Sequence, residues 1–383
     1  MSGILLSGGQ VFADATGNPV LRDVLIRDGR IERVGASLTP APGGEVRDCR
    51  GLFLAPAFID VHAHVFHHGV YPAGVPADRV GVEQGVPCVL DAGSFGWRTV
   101  DGFAEHVVAC ARTRVYGLIH INSGLPRVGE GHSSHVSLLS LDGSVRAIER
   151  HRAWIRGVKI QASGSHVGDL DVLPVKLARK AADLTELPLM VHVGNPPPLL
   201  EDVLALLRPG DVVTHAAHGK TGGILGRGGI LLPEVREAMA RGVLFDLGHG
   251  ASSFSFRVAE RALDQGFRFD LAGTDLHRGN LDGPVVSLAR TMTKLLALGV
   301  PLRDVVHAAT VRAAEVFALE GFGPLPDNAA TPLGVPANLT AFALEDGDFE
   351  LVDAEGERRI AQQRIRPVWS MLAGETFAVT APV

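Results

Sequence analysis

Phe58-Ile59-Asp60-Val61-His62-Ala63-His64 is the stretch whose reading decides the fold. After Pro56, apolar β-branched and aromatic residues alternate with polar ones, the pattern of a short strand. Alternate side chains on a strand share a face, so Asp60, His62 and His64 point the same way. Two imidazoles on one face can grip a metal ion, but a single His-x-His pair needs further ligands from elsewhere in the chain.

Downstream of this strand, apolar strand-like runs alternate with longer helical stretches, the rhythm of a parallel sheet with helices outside it. Eight runs can be counted, at 54–62, 87–93, 115–121, 157–162, 188–193, 211–217, 243–248 and 268–274. Eight is the number that closes a barrel. Apolar residues at three- and four-residue spacing predict helices at Val100–Arg112, Val172–Leu184, Pro233–Ala240 and Val285–Leu298. The gap 123–156 and the Gly-rich loop 219–229 are read as mobile loops over the barrel mouth. Residues 1–54 and 334–383 instead carry short alternating pieces separated by turn formers such as Asp28-Gly29. Each end is too small to hold a core, so the two are expected to pair into one domain. The expected fold is therefore α/β: a (β/α)8 TIM-like barrel over 55–333, with a small β-sandwich domain built from both chain ends.

In such a barrel the chemistry sits at the C-terminal ends of the strands. The first run ends in His62 and His64, the fourth carries Lys159, the fifth His192, the sixth His215, and the eighth ends in Asp275. Taken singly, His192 or His215 reads as a hydrogen-bonded rim residue and Asp275 as a helix cap. Coincidence across five strands is harder to credit, because each polar group buried in an apolar strand costs free energy unless it has a partner, and a shared metal supplies one for all of them. His218 lies three residues past His215, and strand parity puts it on the opposite face or in the loop.

Lys159 is the most informative member of the set. An ammonium with a reference pKa of about 10.4 would repel a metal and be costly to desolvate. Carboxylation of its amine by carbon dioxide makes an anionic carbamate whose two oxygens can bridge two divalent ions. A lysine that snorkels from the strand end or binds a substrate anion is the alternative. Asp60 is either an orienter of the metal ligands or an ordinary buried carboxylate. Arg127, His249 and His277, with Lys220, Arg227 and Arg278, follow barrel strands and are candidates to meet a substrate carboxylate, a solvated loop being the alternative for each. Gly219-Lys220-Thr221 is not a phosphate loop, since that motif would need glycine at Thr214.

The bulk properties narrow the partners. The chain has 383 residues, 46% hydrophobic and 20% charged, with a net charge of −6 and no Lys/Arg block, which argues against a nucleic-acid partner. No run of 18 or more apolar residues is present, so no membrane span is expected. The N-terminal segment lacks an export signal and the expected location is cytoplasmic. Cys49, Cys88 and Cys110, odd in number and widely spaced, read as reduced thiols. The expected partner is a small-molecule substrate, and a homo-oligomer is left open.

The set His62, His64, Lys159, His192, His215 and Asp275 resembles the ligand set of the amidohydrolase superfamily. Leu54-Ala55-Pro56-Ala57-Phe58-Ile59-Asp60 resembles its strand-one entry and Asn338-Leu339-Thr340 its C-terminal β return. More narrowly, His192-Val193-Gly194-Asn195-Pro196-Pro197, Thr214-His215 and Thr274-Asp275-Leu276-His277 resemble the dihydroorotase-like amidohydrolase/deacetylase branch. Ala57, where glycine is usual, and Asn338, where aspartate is usual, depart from the family pattern at the β-domain junction. The resemblance implies two divalent ions, usually zinc: His62, His64 and Asp275 on one, His192 and His215 on the other, and carboxylated Lys159 with a hydroxide bridging both. It further implies a hydrolase in which that hydroxide attacks the substrate carbonyl and Asp275 relays the proton. The activity expected from it is removal of an acyl group, such as acetyl, from a carboxylate-bearing 2-hydroxy acid ester or N-acyl amino acid. A dihydroorotase-type cyclic amide hydrolase is the first alternative and a non-catalytic barrel scaffold the second.

Overall fold

Alternating apolar residues put Leu6, Val11, Val24, Ile26, Ile31 and Val34 into one buried cluster as β1 (Gly3–Val11), β2 (Val20–Arg27) and β3 (Arg30–Gly35) pair antiparallel in sequence. β4 (Glu45–Asp48) and β5 (Phe53–Pro56) then run parallel to β1. The structure is a computed structural model and describes residues 3–13, 17–67, 73–124, 133–325 and 334–382.

The chain next lays down a parallel sheet of seven strands in sequential order: β6 (Ile59–Ala63), β7 (Cys88–Asp91), β8 (Arg114–His120), β9 (Ile155–Ala162), β10 (Leu189–Val193), β11 (Val212–Thr214) and β12 (Leu244–Phe245). Helices pack on its outer face, among them Leu141–Arg150 and Leu173–Thr185, and their apolar sides join Val89, Ile119, Val158, Ile160, Val191 and Val213 in one core. The opposite face starts apolar and ends polar on strand after strand. Leu118 is followed on that face by His120, Met190 by His192, Val212 by Thr214 and Leu244 by Asp246. The apolar members of these pairs gather with Ala313, Ala314 and Phe317, which leaves the polar members at the strands' C-terminal ends.

The chain end returns to the first sheet as β13 (Leu339–Val352), β14 (Arg358–Leu372) and β15 (Glu375–Ala378), giving eight strands, with β13 paired to β5. The expected sandwich is at the level of hydrogen bonding one continuous mixed sheet. Cys49 and Cys88 are buried, Cys110 is exposed, and all three are free. No helix among the described residues is long and apolar enough to cross a membrane.

Several expected boundaries move. The run 54–62 divides, because Ala57 N–H donates to Asn338 O (3.1 Å) and Ile59 N–H to Ala309 O (2.8 Å), so Phe53–Pro56 pairs in the mixed sheet and Ile59–Ala63 in the parallel one. The helix expected over 100–112 is four α residues followed by a five-residue π turn that ends at Val108. The helix expected from Val285 starts at Leu288, where Ser287 Oγ caps it by accepting from Arg290 N–H (3.0 Å). The 123–156 gap contains the helix Leu141–Arg150. The eighth run, 268–274, makes bridges in place of a ladder: Leu271 pairs with Asp246, and Leu276 with Ala63 on the far edge of the sheet. Side chains take its backbone donors instead. Gly273 N–H donates to Asp246 Oδ1 (2.6 Å) and Thr274 N–H to Asp60 Oδ1 (3.2 Å).

Thr340 ties the two sheets together. Its buried Oγ1 accepts from Phe58 N–H and donates to Gly85 O, both at 3.0 Å, beside the stacked rings of Phe53 and Phe342. Thr340→Val keeps the shape and removes both bonds, so denaturant titration should show a loss of about 1–3 kcal/mol. An unchanged midpoint would mean that the junction is held by packing alone.

Candidate metal centre

At the C-terminal ends of the parallel strands lies a cavity lined by His62, His64, Gly93, His120, Lys159, Gln161, His166, His192, Asp275 and His277. His215 stands at its wall, its ring 4.2 Å from that of His192 and 5.1 Å from that of His62, centroid to centroid. The structure thus brings together all six residues that the sequence singled out. Ligand atoms of His62, His215 and Asp275 lie within 4.8 Å of one another. Asp275 Oδ1 is 3.1 Å from His64 Nε2 and 3.4 Å from His62 Nε2, and Lys159 Nζ is 3.1 Å from that same His62 nitrogen.

Each of three imidazoles has its Nδ1 occupied outside the cavity. His62 Nδ1 bonds to Thr214 Oγ1 (2.9 Å), which donates to Asp246 Oδ2 (2.7 Å). His64 Nδ1 bonds to Ser94 Oγ (2.8 Å), and His215 Nδ1–H donates to Gly248 O (2.5 Å). This arrangement selects the tautomer whose Nε2 lone pair faces inward, the state in which imidazole binds a metal. Burial reinforces it by disfavouring the charged forms: His62 and His192 are lowered, and His215 is pushed down to about 3. Lys159, fully buried, is lowered to about 8 chiefly by desolvation. Burial alone would raise the Asp275 carboxyl, but His62 foremost, with His64 and His215, holds it well below the usual carboxylate range. Neutral nitrogen donors, one carboxylate and an amine of reduced basicity fit a divalent-ion site once that amine has given up its proton.

The backbone here is strained and braced. His215 and Asp275 sit at φ +67° and +55°, in the left-handed region that residues other than glycine rarely adopt. Asp275 is held by its N–H donating to His62 O (2.6 Å) and by Asn280 Nδ2 donating to its carbonyl (2.8 Å). A Cβ on Gly250 (φ +57°) would lie 2.6 Å from Asp275 Oδ2, and one on Gly273 would lie 2.7 Å from both Asp246 oxygens, so only glycine admits this packing. Asp60 is a brace: it accepts from Thr274 Oγ1 (2.5 Å) and His62 N–H (3.1 Å), on either side of the centre.

The candidate substrate contacts fare differently. His277 lines the cavity, its N–H donating to Asn280 Oδ1 (2.9 Å). His249 does not line it. Its Nδ1–H donates to Gly250 O (2.8 Å) and its Nε2 accepts from the buried Lys294 (2.6 Å), so both nitrogens are taken up by the protein. Arg127 lies outside the described residues. Lys220 is exposed and donates to Ser252 Oγ (3.3 Å). His218 is buried, its Nδ1 accepting from Lys220 N–H (3.2 Å), and is not in the lining. The sequence reading passed over His120, Gln161 and His166. The signal for the first two was available, since His120 is paired in register with Lys159 and Gln161 is one inward position beyond it.

A parallel α/β sheet that carries a histidine-carboxylate-lysine cluster at its C-terminal edge defines a class of hydrolase scaffolds, and comparison with known proteins narrows it. Residues 332–378 match a family model described as a deacetylase-like composite domain. The chain is 35% identical over 363 residues to a deacetylase of Agrobacterium fabrum, covering 94% of this chain and 87% of that one. It is 32% identical to a deacetylase of Enterococcus faecalis over 98% of each chain. A crystal structure of a dihydroorotase superposes with a TM-score of 0.91 at 32% identity, covering 100% of this chain and 99% of that one. The chain belongs to the dihydroorotase-like deacetylase branch of the amidohydrolase superfamily and is a hydrolase. The scaffold alternative is thereby set aside.

Lys294 provides a test of the buried pair behind the centre. Desolvation, helped by Arg290, lowers it to about 7 in the folded protein, against 10.5 ordinarily. Between those values the unfolded chain binds a proton that the folded chain does not, so this group's contribution to stability rises with pH across that window. Lys294→Met removes the dependence. Urea titrations should show the stability of the variant relative to wild type falling by on the order of 2 kcal/mol from pH 7 to pH 9. A difference that does not vary with pH would place a protonated ammonium there across the whole window.

Proposed function

We propose that this protein removes an acyl group, in the first instance acetyl, from a small carboxylate-bearing molecule such as an acetylated 2-hydroxy acid or an N-acyl amino acid. The observation that carries the reading is the convergence of three Nε2 lone pairs on Asp275, with Lys159 beside them. The deacetylases of similar sequence, aligned over nearly the whole chain, support it. In this reading the segment around Leu271–Leu276 closes the parallel sheet into an eight-stranded barrel by bridging both of its edges.

His62, His64 and Asp275 would hold one divalent ion, His192 and His215 a second, and Lys159, once carboxylated, would be shared between them. Such ions supply Lewis acidity, lowering the pKa of water and polarising the acyl carbonyl. The protein's own part is orientation and proton transfer. Asp275, anionic at neutral pH, is placed to accept the proton of the attacking water and hand it to the departing nitrogen or oxygen. Thr214 and Asp246 keep His62 in one tautomer, and Ser94 steadies His64. His277 and His166 at the wall offer N–H donors for the substrate carboxylate.

The dihydroorotase-type alternative draws on the structural neighbour of that description, and the same proton chemistry would open a cyclic amide. Assay of O-acetyl 2-hydroxy acids and N-acetyl amino acids of both hands against dihydroorotate separates the two. Turnover of the acetylated panel is expected, and turnover of dihydroorotate alone would overturn the proposal. Elemental analysis should find about two divalent ions per chain, and chelation should abolish activity. Lys159→Ala should lower the metal content and remove activity, and full activity of the metal-free protein would sink the metal reading. Asp275→Asn should stay folded with kcat down roughly 10²- to 10⁴-fold, a normal rate refuting its role in proton transfer.

A further inference from the structure

We propose that Gln161 is a specificity-determining residue: its side-chain amide reads the atom that joins the acyl group to the rest of the substrate, favouring an amide N–H over an ester oxygen. This deepens the acyl-hydrolase reading above and rests on it. Gln161 is two residues beyond Lys159 on β9, so it shares the inward face one step nearer the strand's C-terminal end. Its Cα is paired in register with that of His192, and it lines the cavity with His62, Lys159 and Asp275.

Several of the other polar groups around the centre already have work within the protein. His62 Nδ1 is bonded to Thr214, His64 Nδ1 to Ser94, and His166 Nδ1 to Ser163. Gln161 Oε1 is buried, and among the described residues no hydrogen-bond donor reaches it. A buried carbonyl without a donor costs about 1–3 kcal/mol, and native proteins seldom keep one without a reason. Beside a reaction centre, the reason is a bond completed by substrate. The atom is an acceptor, so the matching substrate atom carries hydrogen. In an N-acyl compound that hydrogen sits on the nitrogen next to the carbonyl being attacked. In the O-acyl counterpart an oxygen lone pair occupies the same place, and the Gln161 carbonyl stays unpaired. Sites built to bond a substrate N–H or O–H discriminate against analogues that lack it for this reason.

The test compares wild type with Gln161→Met, which keeps the length and removes the amide, both fully metal-loaded. The substrate pair is the N-acetyl amino acid that wild type turns over fastest and its O-acetyl 2-hydroxy acid counterpart. The expected result is a fall in the amide-to-ester ratio of kcat/KM of roughly 10- to 100-fold, carried by the amide, with the ester changing by less than about threefold. Because the protein loses no internal bond, Tm should be unchanged or higher. An unchanged ratio, or a parallel fall of both activities with a lower Tm, would make Gln161 a structural residue and overturn the inference. Failure of wild type to turn over any acetylated compound would instead overturn the acyl-hydrolase reading, and this inference with it. The two failures are thus distinguishable.

Discussion

The structure turns on a convergence of electron pairs at the C-terminal ends of the parallel strands. Three imidazoles, each anchored through Nδ1, direct Nε2 toward the Asp275 carboxylate, with the Lys159 amine 3.1 Å from one of them. Burial suppresses protonation of His62, His192 and His215, so the proton that would relieve the repulsion in water is costly here. A divalent cation relieves it with a single charge centre, which is why the arrangement reads as a site for one.

Everything around this centre serves to hold it in place. Interior faces of the strands are apolar at one end, where Leu118, Met190, Val212 and Leu244 gather around Phe317, and polar at the other. Asp246 and Asp60 then work as staples across the two ends of the parallel sheet. Asp246 takes Thr214 Oγ1 and Gly273 N–H, and Asp60 takes Thr274 and His62 N–H. These carboxylates supply to the segment after Asp270 the acceptors that a regular ladder would have given. That segment is then free to turn and to aim Asp275 inward from a left-handed conformation.

Catalytic geometry of this kind tolerates little displacement, and the glycines show how closely the wall is fitted. Gly250 and Gly273 leave no room for a methyl group against Asp275 and Asp246. Gln161, by contrast, sits within the cavity with its carbonyl uncommitted. The site thus combines three imidazoles anchored through Nδ1 with a polar group that meets no donor among the described residues, a division expected where one set of atoms holds a cofactor and another meets substrate.

Much of this was legible in the chain. The face on which a residue lies is local, set by the two-residue period of a strand. His62, Lys159, His192 and His215 could therefore be placed at strand ends from alternation alone, and the succession of strands and helices gave the parallel sheet. Other features depend on what stands opposite, and sequence pattern does not carry that. The division of 54–62 between two sheets follows from bonds to Asn338 and Ala309, more than two hundred residues away. The withdrawal of His249 from the cavity follows from Lys294 on a distant helix. The strained backbones of His215 and Asp275 exist only because neighbouring strand ends brace them. Sequence alone determined which side chains face inward. Tertiary structure decided which of them meet and which are left without a partner, because long-range pairing, not local period, sets the distance between atoms far apart in the chain.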